Sequence, residues 1–178
     1  MATKFTARVP AGTKSATGQV LKKDVVWTFT TPPPKVETMI PQNQIVRRDA
    51  MMFISFDQAI NPEAVLKTIT VTGQGKRIPI RLATQAEIDS DGSISYYSKQ
   101  VQPGRWLAFR AVNSDGLTEN ALPSASQITV SVDKGTPSAE GPLTTVKAQT
   151  YSFQTYSPLS FSGGWCSYRD NKNCTPFD

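Results

Sequence analysis

The sequence predicts an all-β chain, a sandwich or barrel of many short strands. Three observations carry that expectation. Apolar and polar residues alternate at period two in seven separate places, turn-forming residues stand between those places, and helix signals are few. The 178 residues include 13 prolines and 11 glycines and are only 19% charged, which suits short strands joined by turns.

Taken along the chain, the first apolar row is Phe5, Ala7 and Val9, and the second is Val25, Trp27 and Phe29. Then come Met52, Ile54, Phe56; Ile78, Ile80, Leu82; Leu107, Phe109, Ala111; Ile128, Val130, Val132; and Tyr151, Phe153. Each row suits a half-buried antiparallel strand with one face on a core. The intervening turns are Pro32-Pro33-Pro34, Thr72-Gly73-Gln74-Gly75, Asp91-Gly92, Gln102-Pro103-Gly104, Asp115-Gly116 and Gly135-Thr136-Pro137. Asn61 suits the cap of a helical turn that starts at Pro62 and runs through Leu66. Residues Gln85 to Tyr97 could hold another turn, interrupted by Asp89-Ser90-Asp91-Gly92.

Composition excludes several kinds of chemistry. There is no histidine, so Ser-His-Asp and Cys-His nucleophile systems and His-bearing zinc sites are ruled out. The net charge of +5 arises from scattered basic residues, among them Lys22, Lys23, Arg47, Arg48, Lys76 and Arg77, so a solvated surface is expected and no nucleic-acid partner. No apolar run is long enough to insert in a membrane, and Met1 to Pro10 is unlike a secretory signal; a signal of an exported parent would lie outside this piece.

Candidate sites fare little better. Asp89-Ser90-Asp91-Gly92-Ser93 resembles the opening of a calcium loop, but the closing position holds Gln100 where a bidentate Glu is needed, so a polar surface turn is expected. There is no Gly-x-Ser-x-Gly elbow and no Gly-rich phosphate loop ending in Lys-Ser or Lys-Thr. Asp57, Glu63 and Asp115 are expected to cap turns or face water. Arg105-Trp106 and Arg110 suggest cation-π stacking on a sugar or base, with a place at the rim of the core as the alternative for Trp106. Cys166 and Cys174 either form a disulfide, worth about 2–3 kcal/mol in the chain-entropy model, or remain two isolated thiols. Two cysteines without histidine leave a zinc shell half empty. No catalytic, cofactor-binding or metal-binding residue is expected, no cofactor, and no enzymatic activity.

The most informative feature is an internal repeat. Val9-Pro-Ala-Gly12-Thr13-Lys-Ser15-Ala16-Thr-Gly18 matches Val132-Asp-Lys-Gly135-Thr136-Pro-Ser138-Ala139-Glu-Gly141 at a constant shift of 123 residues. Trp27-Thr-Phe29-Thr-Thr31 then matches Tyr151-Ser-Phe153-Gln-Thr155 at a shift of 124, one residue being inserted in the connection. Both copies read as the closing strands of a domain. The chain therefore parses as the last two strands of a preceding module (residues 1–34), a complete module (35–158) and a junction or the start of the next module (159–178). Pro32-Pro33-Pro34 is a stiff spacer between the first two. The first hairpin, lacking its own sandwich, is expected to pack on the complete module, pair with a copy of itself or be partly disordered, with packing preferred.

Certain blocks resemble known modules. Arg47-Arg48-Asp49, Met52-Phe53-Ile54-Ser55-Phe56-Asp57-Gln58 and Ile60-Asn61-Pro62-Glu63-Ala64-Val65 resemble bacterial Ig-like modules in which a strand ending in Phe-Asp-Gln precedes a Pro-started turn. Pro103-Gly104-Arg105-Trp106-Leu107-Ala108-Phe109-Arg110, Gly135 through Pro142, and Tyr151-Ser152-Phe153-Gln154-Thr155-Tyr156 resemble the N-terminal region of bacterial α2-macroglobulin-like proteins. The likeness runs from about Val9 to Pro158.

That resemblance implies an Ig-like antiparallel β-sandwich, with the extra N-terminal hairpin, in a large periplasmic or cell-envelope protein that traps proteases. In that family a bait segment is cut and a thioester, made in a Cys-x-Glu-Gln motif, often captures the protease. Neither the Cys-Ser-Tyr-Arg at Cys166 nor the Cys-Thr-Pro-Phe at Cys174 fits the motif. The implied role is a non-catalytic structural domain. Its partners would be neighbouring domains of the same polypeptide, and target proteases only through the full-length protein. The alternative is a binding module of a surface adhesin or carbohydrate-active protein, for which an exposed aromatic platform at Tyr96, Tyr97 and Trp106 is the discriminating feature.

Overall fold

Alternating side chains become layers once the strands pair. The structure is a computed structural model and describes residues 1–160. In chain order its elements are β1 (Lys4–Val9), β2 (Val25–Thr30), β3 (Val36–Ile40), β4 (Ile45–Val46), β5 (Met51–Phe56), α1 (Pro62–Leu66), β6 (Ile69–Gly73), β7 (Lys76–Ile78), β8 (Ile80–Leu82), α2 (Gln85–Ser90), α3 (Gly92–Gln100), β9 (Trp106–Ala111), β10 (Gln127–Val132) and β11 (Gln149–Thr155).

One sheet has the order β4-β11-β10-β6-β7 and the other the order β3-β5-β9-β8, and β1 pairs with β2 in a separate hairpin. Pairing is antiparallel except where β11 meets the short β4. This is an all-β, Ig-like sandwich with an extra N-terminal hairpin. Its core lies between the two larger sheets: Met52, Ile54, Phe56, Leu107 and Phe109 face Val71, Ile128, Val130, Tyr151 and Phe153, all 5% exposed or less. α1 forms as its sequence suggests, with Pro62 in the first turn and the Asn61 side chain accepting from the Ala64 N–H at 3.0 Å.

Four expectations need correcting. The row Ile78, Ile80, Leu82 is not one strand. It divides at Pro79, β7 staying in the five-stranded sheet and β8 crossing to the other, because proline cannot donate to a continuing ladder.

β5 is buried on both faces rather than half-buried. Met51 and Phe53 point away from the main core and meet Ile88, Ile94 and Ala108 under a helical layer. Each large side chain covered there contributes about 1.5–3 kcal/mol of gross burial.

That layer corrects the third expectation. Asp91 ends one helix and starts the next instead of breaking a single weak turn. Its N–H donates to the Glu87 and Ile88 carbonyls, and its carboxylate accepts from the Ser93 and Ile94 N–H groups. α2 opens with a reciprocal capping box between Thr84 and Glu87.

Finally, the first hairpin does not lay its apolar face on the module. Phe5, Val25, Trp27 and Phe29 are 43–51% exposed, and Phe5 stacks on Phe29 with centroids 5.2 Å apart. The hydrogen bonds that join it to the rest of the described chain lie at its open end, at Met1, Ala2 and Pro32.

Candidate functional site

Two hairpins in this chain share one plan. Val9 pairs with Val25 and Lys4 with Thr30, while Val132 pairs with Gln149 and Gln127 with Gln154, so the registers coincide under the shifts of the sequence repeat. Isolated bridges Lys14–Val20 and Pro137–Thr144 correspond as well. Gly12 and Gly135 take φ of 92° and 89°, a region open to glycine, and each N–H donates at 2.8 Å, to Leu21 and Thr145 respectively.

The correspondence extends past the matched residues to the open ends. Ala2 and Ala125 both adopt left-handed backbone, φ 52° and 49°. Their N–H groups donate at 3.0 Å to the carbonyls of Pro32 and Tyr156. The Thr3 N–H donates to Thr31 Oγ1 at 2.9 Å, and the Ser126 N–H to Thr155 Oγ1 at 3.1 Å. A two-residue likeness, Ala2-Thr3 to Ala125-Ser126, was the available sequence signal, and it is too short to stand out.

At the first of these ends the hairpin meets the module in a polar joint. Leu143 donates its N–H to the Ala2 carbonyl at 2.9 Å, and Ala2 is wholly buried. Gly141 lies so close that a Cβ there would collide with Thr3 Oγ1 and with the carbonyl oxygens of Met1 and Ala2. Gln58, also wholly buried, reaches the Pro32 carbonyl with Nε2 at 3.4 Å and accepts from Ser138 Oγ at 2.7 Å. Glu140 Oε1 accepts from the Ala59 N–H at 2.6 Å and Oε2 from the Met1 amino group at 3.1 Å. Those bonds, the Ala59 N–H first, hold its carboxyl below the ordinary range.

The spacer is fixed from the other side. Asp57 accepts from the Lys35 N–H with Oδ1 at 2.9 Å and donates its own N–H to the Lys35 carbonyl at 3.1 Å. Pro34 between these anchors is buried. Ala2 and Gln58 are buried with these partners, so a shift at either leaves a donor or acceptor unpaired. The arrangement ties the open end of the hairpin to the segments around Gln58 and Gly141.

Other sequence candidates are placed as follows. Asp57 pins the spacer, Glu63 sits in the first turn of α1, and Asn113 rather than Asp115 organises its turn, accepting from the Asp115 and Leu117 N–H groups. The calcium-like segment is used for helix caps, and among the described residues no three His, Cys, Asp or Glu side chains gather to hold a metal ion. Trp106 stacks on Phe53 at 5.5 Å beneath the helical layer, whereas Tyr96 is 60% exposed and meets Tyr97 edge to face. Arg110 donates from an Nη to the Asp49 carbonyl at 2.7 Å and lies 3.4 Å from Glu87, so it is not free to stack on a ligand. Cys166 and Cys174 lie outside the described residues.

No family model matches the chain. Among curated proteins it is similar to "Circularly permutated Ras protein 2" of Dictyostelium discoideum, 29% identical over 139 residues. The match covers 75% of this chain and 3% of that protein, so the similar segment is a small part of a much longer polypeptide.

Proposed function

We propose that this chain is a non-catalytic structural segment whose work is to set the angle between successive modules of a larger protein. One observation carries the reading: Ala2 is buried and bonded to Leu143, so the end of one hairpin is locked onto the loop of the next module. On this reading residues 1–34 close a preceding module, residues 35–158 form a complete one, and residues 159–178 are a junction or the start of the next module. The first hairpin's exposed apolar face corresponds to the face that β10 and β11 turn to the core, and strands of the preceding module would cover it.

The setting we propose is a bacterial α2-macroglobulin-like protease-trapping inhibitor of the periplasm or cell envelope. The sequence resemblance supports that setting; the joint supports the positioning role. Neighbouring domains are the direct partners, and target proteases are reached only through the full-length protein.

Amide ¹⁵N relaxation tests the positioning role. Residues of β1 and β2 should share one tumbling tensor with β3–β11, and independent tumbling of the hairpin would overturn it. Incubation with trypsin-like and elastase-like proteases should leave their activity intact and form no covalent adduct. Capture of a protease by this segment would refute the non-trapping role.

A further inference from the structure

Ala125 repeats the conformation of Ala2 but not its burial. Ala2 is wholly buried against Gly141 and Leu143, while Ala125, with the same left-handed φ and the same 3.0 Å bond to the chain that follows β11, is exposed. Pro34 and Pro158 differ in the same sense. They occupy corresponding places after their hairpins, and the first is buried and the second exposed. Among the described residues no N–H reaches the Ala125 carbonyl, whereas the Ala2 carbonyl accepts from Leu143.

We propose that the surface formed by Ser124, Ala125, Tyr156 and Pro158 is a preformed socket for a further module of the same kind, docked as residues 35–158 dock on the first hairpin. The proposal rests on the positioning role above and specifies its second joint. The occupant is identified by the chemistry of the first joint. It presents a backbone N–H at the place of Leu143 for the Ala125 carbonyl. It brings a side-chain amide at the place of Gln58 for the Tyr156 carbonyl, and an Asp57-like carboxylate for the backbone just past Pro158. A glycine at the place of Gly141 lets the two backbones approach.

Left-handed alanine is uncommon, and the Tyr156 bond and the neighbouring Ser126–Thr155 bond hold it in place while the carbonyl it aims lacks a partner among the described residues. The same device fully engaged elsewhere in the chain shows what such a carbonyl meets. Preorganisation of this sort lowers the entropy cost of docking.

The test uses the full chain with residues 159–178 replaced by a second copy of residues 35–178, and Cys166 and Cys174 changed to Ser. Spin labels at Lys4→Cys and at Lys134→Cys of the first copy report the existing joint. Labels at Gln127→Cys of the first copy and Lys134→Cys of the second report the proposed one, since Lys4 and Gln127 correspond. Pulsed electron resonance should give two distance distributions of equal mean and equal narrow width. Gly141→Val in the second copy should broaden only the second distribution.

A narrow first distribution beside a broad or displaced second one overturns the socket and leaves the positioning role standing. If both distributions are broad, the positioning role fails as well. A second distribution unaffected by the Gly141→Val change contradicts the docking geometry.

Discussion

Trp27 and Tyr151 occupy corresponding positions in hairpins of one register, yet Trp27 is 48% exposed and Tyr151 only 5%. The difference lies in what faces them. Tyr151 belongs to the core between the two larger sheets, and Trp27 faces water. An apolar row of this kind on an open two-stranded sheet favours self-association. The double change Trp27→Thr with Phe29→Thr should therefore leave the unfolding free energy of the module nearly unchanged, within about 0.5 kcal/mol. It should also lower association measured by sedimentation. Phe153→Ala, at the corresponding but buried place of Phe29, should cost about 3–5 kcal/mol by denaturant unfolding. Equal losses from the two changes would contradict the contrast.

Tyr151 supports a second prediction. Its hydroxyl is buried without a hydrogen-bond partner, and burial pushes its pKa upward, so the phenol stays neutral through the ordinary pH range. An unpaired buried hydroxyl costs desolvation without return. Tyr151→Phe should raise stability by about 1 kcal/mol, read from the urea midpoint. A loss of similar size would mean that the hydroxyl has a partner in solution.

How far the fold could be read depended on whether the deciding contact was local. The alternation of Ile128, Val130 and Val132 is visible because period two is a property of neighbours, and the Asn61-Pro62 start of α1 is visible for the same reason. β6 alternates just as clearly, Ile69 and Val71 being buried, but only two apolar residues mark it before Gly73. Asp91 looked like a helix breaker because one residue can end one helix and begin another, and the adjacent Gly92 concealed the second role. Met51 and Phe53 belong to a second layer that exists only once α2 and α3 are placed. The joint was least legible. Ser138 and Gln58 lie 80 residues apart and are ordinary polar residues until the fold brings them together. The repeat pointed to the right hairpins, and the exposed and buried alanines at their ends emerged only in three dimensions.

Glu87 sets a pH dependence. It takes two hydrogen bonds from Arg81, at 2.7 and 2.8 Å, besides those from Thr84, and lies 3.4 Å from Arg110 Nε. The Arg81 bond is the chief reason its pKa falls to about 2 from the ordinary 4.5, partial burial opposing it and Thr84 reinforcing it. A pKa lowered by folding adds stability that is complete above pH 4.5 and disappears as pH falls toward 2. Glu87→Gln should thus be less stable than wild type by about 1–2 kcal/mol near neutrality. The difference in melting midpoint should narrow steadily below pH 4.5. A difference that stays constant down to pH 2.5, or widens, would refute the assignment.

Thr31 and Thr155 should respond differently to the same loss. Thr155 Oγ1 accepts from the Ser126 N–H and donates to the Pro123 carbonyl at 2.6 Å, all within the module and 3% exposed. Replacing it with Val keeps the shape but strands the buried Ser126 N–H, a cost of about 1–3 kcal/mol in global unfolding. Thr31 Oγ1 accepts from the Thr3 N–H in the same way, but the segment it holds is the hairpin base rather than the sandwich. Thr31→Val should leave the cooperative unfolding of the module within about 0.5 kcal/mol of wild type. It should, however, speed hydrogen exchange at Thr3 and at Leu143, whose N–H depends on where the Ala2 carbonyl is held. Faster exchange at Thr3 with Leu143 unchanged would show that the Leu143 bond does not depend on the hairpin base, and a matching global loss in both variants would show that hairpin and module unfold as one unit.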